Sequence, residues 1–405
     1  MNSLLKKTAR ELAVNLSSYH FEKHARNAII NQFRYTSRDV KLAWNRFIYG
    51  HKDTSLNSVI GLINPFIFGS GTGGDIGGWK ELGRTTLGGA ADSINVSSLS
   101  NKRLYMVLTH IIGSGHAEEW IRFNSDSGNN YSYRRQSNGG SDGTETNVPR
   151  IGLSSGVDVD PTGFSIAYIG NYSTKEKLVM AHWVGEKSSG AGNAPHRNES
   201  VGKWVNTSNP ISAVNIINNG SGDFATNSEC VVLGLDPADT HTDNFWGQLF
   251  TPVDLGANGT VGSGTFTAKK YIRLMGYIKP TGSVAIGINS NNDSSSNNAN
   301  YRLNLDGATE TTGVNDKQIQ LTGSAVSSPI FFDSFIINVS SKEKLFINHV
   351  VSRGSVGAGY APNRIESVGK YVSTSAAITE FRIWDSNWNF ITCGAGSQLA
   401  GWGND

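Results

Sequence analysis

The stretch KEKLVMAHWVGEKSSGAGNAPHRNESVGKWVNTS, residues 175–208, returns at 342–375 as KEKLFINHVVSRGSVGAGYAPNRIESVGKYVSTS. The two align without a gap at an offset of 167 residues and are identical at 21 of 34 positions. Average residue usage would give about two matches by chance. Weaker matches keep the same frame: Trp79 with Trp246, Leu82 with Leu249, and SNKRLYMVL (100–108) with TAKKYIRLM (267–275). After one slip NYSYR (130–134) meets NANYR (298–302), and NSECVVLG (227–234) meets GSQLAGWG (396–403) once two residues are inserted near Trp388. The chain thus holds two copies of one module, 79–236 and 246–405, joined by a connector at 237–245. So long a period lies outside the solenoid range and predicts two domains.

Inside each copy the signal is short alternation, as in Leu104, Met106, Leu108 and in Leu178, Met180, His182, Val184. Clusters such as GSG (113–115), SDSGNN (125–130) and NNGSG (218–222) bound these runs as turns. Roughly eight strands in about 160 residues predicts a jelly-roll β-sandwich for each module. Composition agrees. Glycine numbers 47 in 405 residues and charged residues make up 17%, against averages of about 7% and ~25%. That mixture reads as β-structure with polar turns and argues against a helical bundle, a coiled coil or an α/β enzyme. Two cysteines, Cys230 and Cys393, are too few for a disulfide scaffold, and nothing has zinc-ligand spacing.

The net charge of +2 is a sum of unlike parts. Residues 1–60 hold ten basic side chains against four acidic ones, a charge of +6, which leaves −4 for the rest. Apolar residues there recur at helical spacing (Leu5, Leu12, Leu16; Phe21, Ala25, Ala28, Ile29, Phe33; Val40, Ala43, Phe47), predicting a basic α-helical N-terminal arm over 1–57. Its cations either dock on an acidic partner or solvate the outer faces of a small helical bundle. No basic groove interleaved with aromatics points to nucleic acid. Residues 58–78 read as a linker, first the apolar VIGLINPFIF (59–68) and then the glycine-rich GSGTGGDIGG (69–78). No stretch approaches the ~20 apolar residues of a membrane span, and the N-terminus lacks the apolar core of a signal peptide. Gly69, Gly71 and Gly74 match a dinucleotide-binding spacing, but Gly77, Gly78 and Trp79 follow where a helix must open, so no nucleotide cofactor is expected.

Six candidate residues recur in both copies. His182 and His349 sit in phase with apolar neighbours, which favours half-buried histidines over metal or catalytic ones. Arg197 with Glu199, and Arg364 with Glu366, stand two apart on one face of an extended segment, where they brace a loop or read a partner. Trp120, Tyr131, Tyr133, Tyr360 and Trp388 fall in or near expected loops and are the candidates for stacking on a ligand. Trp204 and Tyr371 read as core. Glu118 and Glu119 would point to opposite faces of a strand, and neither they nor Asp158 and Asp160 recur in the second copy. No G-x-S-x-G elbow opens a helix, so no catalytic residue is assigned. Asp158, Asp160 and the loops NSDSGNN and NSNNDSSSNNAN are rich in oxygen, yet none has calcium-loop spacing, and no metal is assigned.

The run ISAVNIINNGSGDFATNSECVVLG (211–234) is similar to the closing strands of jelly-roll modules in bacteriophage virion proteins. The stretch KEKLVMAHWV…GAGNAPHRNESVGKWVNTS also resembles a module of marine phage and virus structural proteins. The second copy departs from the closing pattern with GSQLAGWG. The resemblance covers both modules but not the arm. It implies a non-enzymatic virion structural protein, made in the host cytoplasm and carried in the virion. The first expectation is a phage tail fibre or spike subunit, homotrimeric as fibres are. It would dock on other virion proteins through residues 1–68 and present its modules to a cell-surface glycan. A capsid protein, either a decoration protein or a tandem jelly-roll shell protein, is the alternative. A polysaccharide-degrading spike is the third reading.

Overall fold

The computed structural model describes residues 78–405 apart from 155–161, 238, 296–298, 306–308 and 386–389. The expected helical arm (1–57) and nearly all of the linker lie outside the described residues. Within them the chain is built of strands, without a helix.

The first copy contains β1 (Lys80–Thr86), β2 (Ser93–Val96), β3 (Leu104–Ser114), β4 (Glu119–Phe123), β5 (Tyr131–Ser137), β6 (Gly143–Val148), β7 (Ile151–Gly152), β8 (Thr162–Gly170), β9 (Lys177–Gly185), β10 (His196–Trp204), β11 (Val214–Asn218), β12 (Asp223–Phe224) and β13 (Glu229–Leu235). The second contains β14 (Gly247–Gln248), β15 (Val253–Asp254), β16 (Tyr271–Ile278), β17 (Ile286–Ser290), β18 (Ala299–Leu305), β19 (Thr309–Asp316), β20 (Ile319–Gln320), β21 (Ile330–Ile337), β22 (Lys344–Ser352), β23 (Asn363–Tyr371), β24 (Phe381–Asp385) and β25 (Gln398–Asn404).

Each copy forms a large and a small antiparallel sheet. The first large sheet runs β1-β13-β3-β8-β9-β10-β5-β6 and faces the small sheet β2-β11-β4-β7. The second copy repeats this as β14-β25-β16-β21-β22-β23-β18-β19 against β20-β17-β24. Alternation along the strands supplies the cores, as two-residue periodicity requires. On β9, Val179, Ala181 and Trp183 point into the first sandwich, packing with Ile121, Phe123 and Ile216 of its small sheet. The equivalent core of the second copy holds Phe346, Val350, Ile288 and Ile383.

The other phase of the same strands is also apolar. Met106, Leu108, Phe164, Ile166 and Val184 of the first large sheet pack against Tyr271, Phe335, Ile337, Leu345 and Ile347 of the second. The two sandwiches are therefore joined back to back through a third apolar layer. Glu229 closes one side of that layer. Its carboxylate accepts from Thr86 Oγ1 and from Tyr271 Oη at 2.8 Å, and pairs with Arg84 at 3.2 Å and Lys270 at 2.9 Å.

Candidate functional site

Five of the six repeat-retained residues, His182, Arg197, Glu199, His349 and Glu366, gather at this junction. Antiparallel register sets Glu199 opposite His182 and Glu366 opposite His349. In the second copy that pair closes, His349 Nδ1 meeting Glu366 Oε2. In the first, Glu199 instead accepts from Arg197, which also donates to Gln136 Oε1 at 3.1 Å and lies 3.8 Å from Glu310 of the second copy. The two imidazoles, one from each copy, meet edge to face with centroids 4.3 Å apart. Burial opposes charge on both, but the hydrogen bond and charge of Glu366, with Asp333 and Glu199, raise His349 above the ordinary histidine value. His182 is pushed well below it by burial, then by the positive charges of His349 and Arg197. The two touching rings are thus shifted in opposite directions. Arg364 lies exposed on β23. Among the described residues no group of three His, Cys, Asp or Glu side chains is placed to hold a metal ion.

Glu119 belongs to a different environment. It is fully buried on β4, and its Oε1 accepts from Thr109 Oγ1 at 2.5 Å and Ser165 Oγ at 2.8 Å. Burial raises its carboxyl to about 7 despite those bonds. Glu118 faces the other way, accepting from Trp120 Nε1 at 2.9 Å and Asn219 Nδ2 at 3.0 Å. The two carboxylates therefore share no cleft, Glu118 standing just before β4 and facing away from buried Glu119.

The structure corrects the reading of three aromatics as loop residues. Trp120 lies on β4, and Tyr131 and Tyr133 on β5, with exposures of 5%, 1% and 3%. Tyr133 packs edge-on to Trp120, and Tyr131 stacks on Trp204. Their rings build the first core and leave no face for a ligand. Trp204 and Tyr371 are buried as expected. Tyr360 is exposed on the loop between β22 and β23. Trp388, Asp158 and Asp160 lie outside the described residues.

A cleft that the sequence did not reveal opens at the connector end of the first copy. Its volume is about 490 Å³, and it is lined by Asn101, Lys102 and Arg103 before β3, Asn171, Tyr172 and Ser173 between β8 and β9, and Asp236, Pro237 and Asp239 after β13. Its polar groups are held in place. Lys102 Nζ pairs with Asp239 at 2.5 Å, and Arg103 Nε lies 3.5 Å from Asp236. Although partial burial works against it, the hydrogen bond from Lys102 and the Asp236 amide hold the Asp239 carboxyl below its ordinary range. Buried Asn171 fixes the floor, donating to the Lys102 carbonyl at 2.9 Å and accepting from the Ile211 amide at 2.8 Å. Tyr172 stands at the rim with 52% exposure, its ring available to a ligand. A flat ring beside fixed carboxylate, amide and cationic groups suits the apolar face and hydroxyl edge of a sugar.

No protein-family model matches the chain, and no curated protein sequence does. Among solved structures it is similar to domains LG4-5 of the mouse laminin alpha1 chain. The identity is 8%, the match covers 81% of this chain and 91% of that one, and the TM-score is 0.18.

Proposed function

We propose that this chain is a non-enzymatic virion structural protein, a phage tail fibre or spike subunit. Residues 1–68 would dock it on other virion proteins, and its two jelly-roll sandwiches would present a glycan-binding surface to the host. The cleft around Tyr172 is the observation that carries the attachment reading, because it combines an exposed aromatic with pre-positioned polar groups. The charge split supports the docking reading, with a basic segment at one end and an acidic body after it. Displaying several copies on one particle would turn a weak cleft into firm attachment.

Glycan-array binding by the full chain tests the site. Binding that falls at least tenfold on Tyr172→Ala, with no reducing ends released from a bound polysaccharide, is the expected result. A tenfold loss corresponds to about 1.4 kcal/mol, within reach of one stacking contact. Binding untouched by Tyr172→Ala would remove the cleft from the account, and reducing-end release would replace attachment with degradation.

A further inference from the structure

The two copies use the same loop and the same face differently. Between β9 and β10 the first copy carries the loop 186–195, EKSSGAGNAP, and between β22 and β23 the second carries its counterpart 353–362, RGSVGAGYAP. The first loop is docked on the second copy. The Gly190 amide donates to Glu343 Oε1 at 2.6 Å, Lys370 Nζ reaches the Glu186 and Ser188 carbonyls, and the Ala191 carbonyl accepts from the Asn315 amide at 2.9 Å. Under it Leu345 is 0% exposed, and the Lys370–Glu343 ion pair, 3.1 Å long, is 0% and 5% exposed.

The equivalent face of the first copy is bare. Leu178, at the Leu345 position, is 63% exposed, with Met180 at 49% and Val201 at 53% beside it. Lys203 and Glu176 make the same ion pair at 2.9 Å, here 43% and 42% exposed. The second loop is equally uncovered, exposing Val356 (72%) and Tyr360 (63%) where the docked loop has Ser189 and Asn193. Its backbone nevertheless holds the docked form. Gly354 and Gly357 have φ of 63° and 103°, against 66° and 90° at Lys187 and Gly190. The same turn closes in both, Tyr360 to Gly357 and Asn193 to Gly190.

We propose that the bare face of the first copy receives the 353–362 loop of a second molecule of this chain. Chains would then associate head to tail, repeating between molecules the contact that joins the two copies within one. Among the described residues one loop and one matching face are left unfilled, so the contact is heterologous and propagates until a ring closes or a filament grows. The substitutions that distinguish the free loop suit a separable partner. Val356 and Tyr360 add apolar surface to meet Leu178, Met180 and Val201, which together are the kind of exposed patch that marks an interaction site. Arg353 replaces Glu186, so a cation approaches Glu176 where two carboxylates, Glu186 and Glu343, come together inside the chain. The inference stands independently of glycan attachment.

The test uses the full chain. Sedimentation should show a mass that rises with concentration to at least twice that of the monomer. Val356→Asp on the loop and Met180→Asp on the face should each abolish the rise, with near-wild-type melting showing that both remain folded. Cys230 and Cys393 are buried and free, so added thiols report cleanly. Ser355→Cys chains mixed with Lys203→Cys chains should form an intermolecular disulfide. A monomer at every concentration would overturn the proposal, whether the face is covered by residues 1–77 or by nothing. So would a Ser355→Cys/Lys203→Cys double variant that links only within its own chain, because that places the loop on its own face.

Discussion

Single residues show that the two copies have exchanged polar for apolar cores at matched positions. Glu119, Thr109, Ser165 and Trp183 of the first copy stand where the second has Ile286, Gly276, Phe332 and Val350. A Cβ on Gly276 would lie 2.5 Å from the Phe332 ring, so the glycine makes room for the phenylalanine. In the first copy the corresponding space holds a carboxyl with a raised pKa, and the sign of its effect on stability follows. A protonated Glu119 favours the fold below its ordinary value of 4.5, and that contribution is lost as pH rises through about 7. Urea unfolding should therefore show wild-type stability falling between pH 6 and pH 8.5 relative to Glu119→Gln. The difference should be about 1.4 kcal/mol, and an equal slope in the two proteins would refute the assignment. Nothing in the sequence signalled this carboxyl's environment, because its hydroxyl partners come from strands 10 and 46 residues away.

At the scale of the element, β9 and β22 show what the sequence disclosed and what it did not. The alternating run Leu178, Met180, His182, Val184 was legible as one face of a strand. It is the outer face, and the core belongs to the intervening Val179, Ala181 and Trp183. Both phases being apolar is the mark of a sheet covered on two sides, and that signal could have revealed the third layer. Tyr131 and Tyr133 stand at a strand's two-residue spacing, but their polar neighbours Asn129, Asn130 and Ser132 read as loop. Packing within β9 is tight. A Cβ on Gly185 would lie 2.2 Å from the Trp183 ring, whereas the second copy pairs the smaller Val350 with Ser352. Gly185→Ala should cost roughly 1–3 kcal/mol by overpacking, measured by denaturant midpoint. Gly185→Ala combined with Trp183→Val should recover part of that loss, and failure of the second change to help would show that the ring is not the obstacle.

For the whole molecule, the duplication predicted two sandwiches and said nothing of how they meet. Their junction depends on residues the copies do not share. Tyr271 and Trp402 stand where the first copy has Leu104 and Leu233, and Glu229 stands where the second has Gln398. Glu229 links both copies, and its bonds from Thr86, Lys270 and Tyr271 hold its carboxyl below the ordinary range although burial opposes this. Glu229→Ala strands half-buried Arg84 and Lys270 and buried Tyr271 and should lower stability by about 3 kcal/mol, read by calorimetry. The same junction leaves one loop and one face unused, a consequence of copies that diverged at surface positions while keeping their backbone.

Under the proposed function this chain is a virion component that projects from the particle. Quantitative mass spectrometry of purified virions encoding it tests that claim most directly. The account predicts the chain in the particle at a few dozen copies at most, and lost from it when residues 1–60 are deleted. Its absence from purified virions would contradict the claim, and hundreds of copies per particle would place it in the shell instead.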